Sequence, residues 1–177
     1  MQLRLATIAD IPELERLIRA SVSGLSTKHY TPEQIKNGLT YVFGVDTQLI
    51  RDETYFVVEA DQQLVGSGGW SKRNTLFGGD QAKAGSEDSL LDPAHEAARI
   101  RACFVDPNWA RQGIASRILE ECERAARAAG FHRIELAATL PGVPLYSARG
   151  YEQQEAIDIS MAGGEILPTI RMTKNLS

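Results

Sequence analysis

The chain has 177 residues, 43% hydrophobic and 24% charged, with a formal net charge of −4, the size of one compact domain that buries roughly 70% of its unfolded surface without a staple. The acidic balance argues against a nucleic-acid binder, which would show a basic face. With no apolar run of about 18 residues and no signal-peptide pattern, a cytoplasmic protein without a membrane partner is expected.

Residues 1–7 alternate Leu3, Leu5 and Thr7 against Gln2, Arg4 and Ala6, which predicts a strand. Asp10, followed by Pro12 and Glu13, predicts a capped helix start, with Leu14, Leu17, Ile18 and Val22 on the buried face. A second helix is predicted from Thr31-Pro32-Glu33 to about Phe43. Residues 54–60 are rich in β-branched and aromatic side chains, and a turn at 61–63 returns the chain as a strand over 64–70. Strands joined so tightly must pair antiparallel. Gly66, Gly68 and Gly69 in the return strand point to close approach by another element.

Residues 71–96 lack periodicity and contain Gly78-Gly79-Asp80, Gly85-Ser86-Glu87 and Asp92-Pro93. Loops this long are usually functional or disordered, so the expectation is one domain over 1–177 with a loop insertion at about 71–96. A strand over 98–105 follows, then Asp106-Pro107 and a helix entered through Gly113 and running to Ala129, with Ile114, Ile118, Leu119, Cys122 and Ala126 on one face. A strand over 133–138, a short helix over 144–149 and strands over 151–159 and 166–172 complete the chain. The two cysteines, Cys103 and Cys122, match neither a disulfide framework nor a zinc-ligand spacing, so no metal is expected and both read as small buried apolar residues.

The strand–turn–glycine–helix at 100–115 carries the chemistry. Helix N-termini expose about four amides without intrahelical partners and hold partial positive charge. A glycine there lets an anion approach the backbone, which suits a phosphate. Ala110-Arg111-Gln112-Gly113-Ile114-Ala115 resembles the Q/R-x-x-G-x-G/A pyrophosphate loop of the GNAT superfamily of acyl-CoA-dependent N-acyltransferases at its fourth and sixth positions. Leu145-Tyr146-Ser147-Ala148-Arg149-Gly150-Tyr151 is similar to that family's LY-x-x-x-GF/GY element, and the opening residues and strand order also fit. The resemblance covers nearly the whole chain outside 71–96. It departs in two places: the first loop position is Ala110, and Arg99 stands where members using a strand carboxylate as base commonly place it.

The resemblance implies an α/β (α+β) GNAT fold, a mixed, mostly antiparallel sheet flanked by helices, with splayed central strands. It implies acetyl transfer from acetyl-CoA to a primary amine of a small molecule or peptide by direct attack, and it allows a homodimer. The amides of Arg111, Gln112, Gly113, Ile114, Ala115 and Ser116 would face the pyrophosphate, and the Phe104-Val105 backbone would pair with pantetheine. Tyr146 is the expected acid for the leaving thiolate, since a phenol stays protonated at neutral pH. Glu96, His95, Glu135 and His29 all stand open as the base, as does a water chain. Arg99 and Arg101 share one side of their strand by period-two logic; they would recognise an anionic acceptor or pair with Glu135. Trp70, Tyr30 and the Asn74–Asp80 segment would wall the acceptor pocket, with 71–96 as a lid. A non-catalytic acyl-CoA sensor, and a transferase using a bulkier acyl-CoA, are the rival readings.

Overall fold

The computed structural model describes residues 1–83 and 88–177; Gly85-Ser86-Glu87 of the expected loop lies outside the described residues. Strand β1 (Gln2–Leu5) leads through a 3-10 turn into α1 (Ile11–Leu25), which buries Leu14, Leu17, Ile18 and Val22 as the spacing predicts. Asp10 does not cap α1 with its side chain. Its carboxylate instead takes the Thr7 amide at 2.7 Å and two Arg4 nitrogens at 2.8 and 2.9 Å. The cap belongs one turn earlier than expected because Arg4, on β1, competes for the carboxylate.

Helix α2 (Pro32–Tyr41) starts at Thr31, whose Oγ1 accepts from the Gln34 amide at 3.1 Å while Gln34 Oε1 accepts from the Thr31 amide at 2.9 Å. Helix α3 (Thr47–Arg51), not foreseen, is five residues long and too short to show periodicity; Asp46 caps it. Strands β2 (Tyr55–Ala60) and β3 (Gln63–Ser71) join through Asp61 and Gln62, both at positive φ, as a right-twisted two-residue hairpin requires.

Strand β4 (Ala98–Val105), helix α4 (Ile114–Ala128), strand β5 (Arg133–Thr139), helix α5 (Val143–Ala148) and strands β6 (Glu152–Ser160) and β7 (Ile166–Asn175) follow. The sheet order is β1-β2-β3-β4-β5-β7-β6. Every pairing is antiparallel except β4 with β5, which runs parallel and is held only at Ala98↔Ile134 and Arg99↔Glu135. Beyond those pairs the two strands splay.

Alternate residues of β2 serve opposite layers. Phe56 and Val58 join the core under α4, while Tyr55 and Val57 join the core under α1. The glycines of β3 answer the close approach expected there: a Cβ on Gly66 would sit 2.4 Å from Ile114 Cγ2, and one on Gly68 would sit 2.6 Å from Ile118 Cγ2. Without them α4 could not lie on the sheet where it does. Among the described residues no helix is long and apolar enough to cross a membrane.

Candidate functional site

The splay opens a cleft of about 810 Å³ between the C-terminal halves of β4 and β5, within the roughly 300–1,000 Å³ usual for small-molecule sites. One end is bounded by the backbone leading into α4. Arg111 and Gly113 both have positive φ (62° and 79°), so this turn alternates handedness in the way that converges amides on one point. The Arg117 amide donates to Gly113 O at 3.0 Å; the amides before it therefore precede the α4 ladder. A Cβ at Gly113 would meet nothing within 4 Å, so the glycine leaves open space in front of those donors. Arg111, Gly113, Ala115 and Ser116 line the cleft, whereas Gln112 does not, and Ile114 turns its side chain into the core beneath Gly66.

Midway, β4 bulges. Its register against β3 shifts between Ser67 and Gly69, and Ala102 takes φ 52°. The bulge turns backbone toward the cleft, where Phe104 and Val105 form a wall. The Val105 amide donates to Ser21 Oγ of α1 at 3.2 Å, and the Phe104 ring meets Phe43 edge-on at 6.2 Å. Tyr146, on α5, is buried facing β4, its ring 5.7 Å from Tyr151. Its hydroxyl hydrogen-bonds the Cys103 thiol, and burial first, then the neighbouring thiol, holds the phenol well above its ordinary pKa. Burial pushes the Cys103 thiol up to about 11, so it stands in the cleft wall as a protonated, half-buried group. Cys122 is fully buried in the core, as expected.

The far end is built from α1, the end of α2, the 76–79 stretch and strands β6 and β7. That stretch is tied down by Gly79 N to Val42 O (2.8 Å), Asp80 N to Val45 O (3.0 Å) and Gln81 Nε2 to Phe43 O (2.9 Å). Beneath it lies Arg101, only 3% exposed. Arg101 donates to Thr75 O at 3.0 Å and to Gly78 O, and approaches Asp46 Oδ2 at 3.0 Å as an ion pair without hydrogen-bond geometry. Lys83 Nζ takes the other Asp46 oxygen at 2.5 Å.

Several expected site residues are elsewhere. Glu96 and His95 lie at the start of β4, where Glu96 accepts the Asp92 amide at 2.7 Å and His95 pairs with Asp92 at 2.7 Å. Because β4 and β5 run parallel, the cleft opens at their other ends, roughly 20 Å along the strand from Glu96; Glu96 is no base for it. Trp70 is a core residue, its ring 6.0 Å from Phe131, and does not line the cleft. Tyr30 is a strut behind the cleft: its hydroxyl donates to Pro168 O at 2.6 Å and accepts from Leu140 N at 3.0 Å. Arg99 does not line the cleft and pairs with Glu135 at 2.5 Å, which Arg171 also holds at 2.9 Å. Of the side chains considered as bases, His29 alone lines the cleft among the described residues. The 76–79 part of the expected 74–80 wall does line the cleft, whereas Ser21 and Phe43 were missed because no local pattern distinguishes them from core. Among the described residues no cluster of three or more His, Cys, Asp or Glu could hold a metal ion.

Comparison with known proteins brings the same architecture forward. The model of the acetyltransferase (GNAT) family matches residues 21–151. A GCN5-related N-acetyltransferase from Rhodopseudomonas palustris superposes with a TM-score of 0.73 at 18% identity, covering 99% of this chain and 95% of the other. PaiA N-acetyltransferase from Thermoplasma acidophilum, in complex with coenzyme A, gives 0.66 at 15% identity and 98% of both chains. The structure of yncA from Salmonella typhimurium with acetyl-CoA gives 0.64 at 14% identity, over 100% of this chain and 94% of that one. No curated protein matches the sequence significantly.

Proposed function

The chain belongs to the GNAT acetyltransferase family, a family of acyl-CoA-dependent N-acetyltransferases, and from that premise we propose that residues 1–177 form one domain, with 71–96 as an insertion, that acetylates a primary amine in the β4–β5 cleft. The observation that carries this reading is the run of amides ahead of Arg117, opened by Arg111 and Gly113 at positive φ and facing a cleft. These donors fit a diphosphate: they are outside the helix ladder, the helix end is electropositive, and no Cβ stands in front of them. Acetyl-CoA, when bound, supplies the activated thioester carbonyl.

The chain's own residues then do four things. The 113–116 amides and the Arg111 guanidinium hold the diphosphate. The bulged Phe104-Val105 backbone aligns the pantetheine arm; for this, Ser21 Oγ gives up the Val105 amide or turns to share it. Tyr146 delivers its proton to the sulfur as the C–S bond breaks, since its raised pKa keeps the proton on oxygen throughout the neutral range. His29, or water at the open mouth beside it, takes the proton lost by the amine. Orientation supplies most of the acceleration, of the order of 7–11 kcal/mol for a positioned intramolecular attack. Arg99 and Arg101 give little support to an anionic acceptor, because both guanidinium groups are already paired.

One observation favours the rival reading of an acyl-CoA sensor: no Asp or Glu lines the cleft among the described residues. A single experiment separates the two. Purified protein should gain thermal stability with coenzyme A and release free thiol from acetyl-CoA when amines are added. The Tyr146→Phe variant should keep coenzyme A affinity and lose about 100-fold in kcat, the lower end expected for a proton donor. Tight binding with no amine-dependent thiol release would establish the sensor instead.

A further inference from the structure

Resting on the acetyl-transfer reading, we propose that the acceptor end of the cleft selects a weakly basic primary amine on an apolar body that carries no carboxylate or phosphate. Three observations converge on this class. The walls are apolar: Leu25, Phe43, Leu76, Phe77, Ile159 and Leu167 come from separate elements to face one space. No carboxylate among the described residues lines the cleft, while Arg101 and Arg111 do. An ammonium ion would enter an apolar space that offers no carboxylate among the described residues, so burial disfavours the charged form.

The third observation concerns the anion-binding alternative. Arg101 is 3% exposed and spends its donors on Thr75 O and Gly78 O, with Asp46 balancing its charge. It fastens the 75–79 wall, and burial together with the pairing to Asp46 leaves little of the guanidinium to meet a substrate carboxylate. A neutral amine therefore suits this end of the cleft. Amines with an appreciable neutral fraction at pH 7 without local help are of the α-amino type, with pKa about 8, and not the lysine type, with pKa about 10.4.

Leucinamide, glycinamide, 3-methylbutylamine, leucine and spermidine form a panel that tests this on the intact protein with saturating acetyl-CoA. Leucinamide should exceed glycinamide in kcat/KM by about 10- to 100-fold, the value of burying its isobutyl group. It should also exceed 3-methylbutylamine by about 200-fold at pH 7, the ratio of the two neutral fractions, with that gap narrowing to about 4-fold at pH 10. Calorimetry on protein saturated with coenzyme A should detect leucinamide and not leucine. Phe77, 36% exposed, can be changed without loss of the core; Phe77→Glu should raise spermidine relative to leucinamide by about 10-fold, and an unchanged ratio would overturn the placement.

Leucine or spermidine turning over faster than leucinamide in the unmodified protein would overturn the proposed class and leave acetyl transfer standing. Absence of thiol release with every amine would overturn both.

Discussion

At the Arg111 end the cleft is bounded by the backbone of one continuous segment, whereas at the Phe77 end it is bounded by side chains from α1, the 42–44 segment after α2, the 76–79 stretch, β6 and β7. The first needs only a handed turn, a glycine and a helix behind it. The second depends on several elements arriving together, and on the buried Arg101–Asp46–Lys83 group that fastens one wall to the sheet. A backbone-built half keeps its ligand while side chains drift. A side-chain-built half changes its ligand with few substitutions, because little else depends on each exposed wall residue.

The largest effect that would break this contrast is expected at Arg101. Arg101→Met leaves Asp46 with Lys83 alone in a buried setting, and breaking such a pair costs about 3–5 kcal/mol. Thermal denaturation should show a drop of about 6–20 °C for a chain of this length. Where the variant stays folded, KM for the amine should rise at least about 10-fold, as for a displaced wall, with acetyl-CoA affinity unchanged. Equal loss of both affinities would mean that the halves are not independent.

Next comes Gly113→Glu. The new side chain meets no protein atom, so the fold bears only the left-handed strain of about 1–2 kcal/mol. A carboxylate set near a diphosphate should weaken coenzyme A by about 100-fold or more in calorimetry. Gly113→Ala carries the same strain without the charge and should retain most of the affinity. Retained affinity in the glutamate variant would displace the diphosphate from this turn.

The smallest effect sharpens the contrast from outside both halves. Asp10 is held down to about 2 from an ordinary 3.8, first by its hydrogen bond to Arg4. Its native pKa is depressed, so its contribution is fully present above about pH 4 and lost as pH falls through about 2. Asp10→Asn should cost less than about 1 kcal/mol at neutral pH, as partly exposed pairs do. The melting-temperature gap to the unmodified protein should close between pH 4 and 2, with coenzyme A and amine affinities both unmoved.

The glycine-led turn into α4 was legible because its determinants are neighbours in the chain: 98–105 as a strand, Gly113 at the helix entry, Ile114 and Ile118 on one helical face. Tyr146 was legible through a local motif and stands beside Cys103 across the cleft. The acceptor end was misread where a correct local pattern had two outcomes. Period two places Arg99 and Arg101 on one side of β4, yet only the fold assigns Glu135 to one and Asp46 to the other. Aromatic residues beside a glycine-rich loop suggest a pocket, yet Trp70 packs on Phe131 and Tyr30 ties β7 to the end of β5.

By itself the sequence determined the order of the strands and of every helix but α3, a hairpin turn within 61–63 and the glycine-led helix entry, since each follows from steric and hydrogen-bonding rules acting over a few residues. Only the tertiary structure decided which end of β4 opens and which charges are already spent. That decision depends on β4 and β5 pairing in parallel for two register positions and then parting, a contact between segments about 35 residues apart that no local pattern encodes.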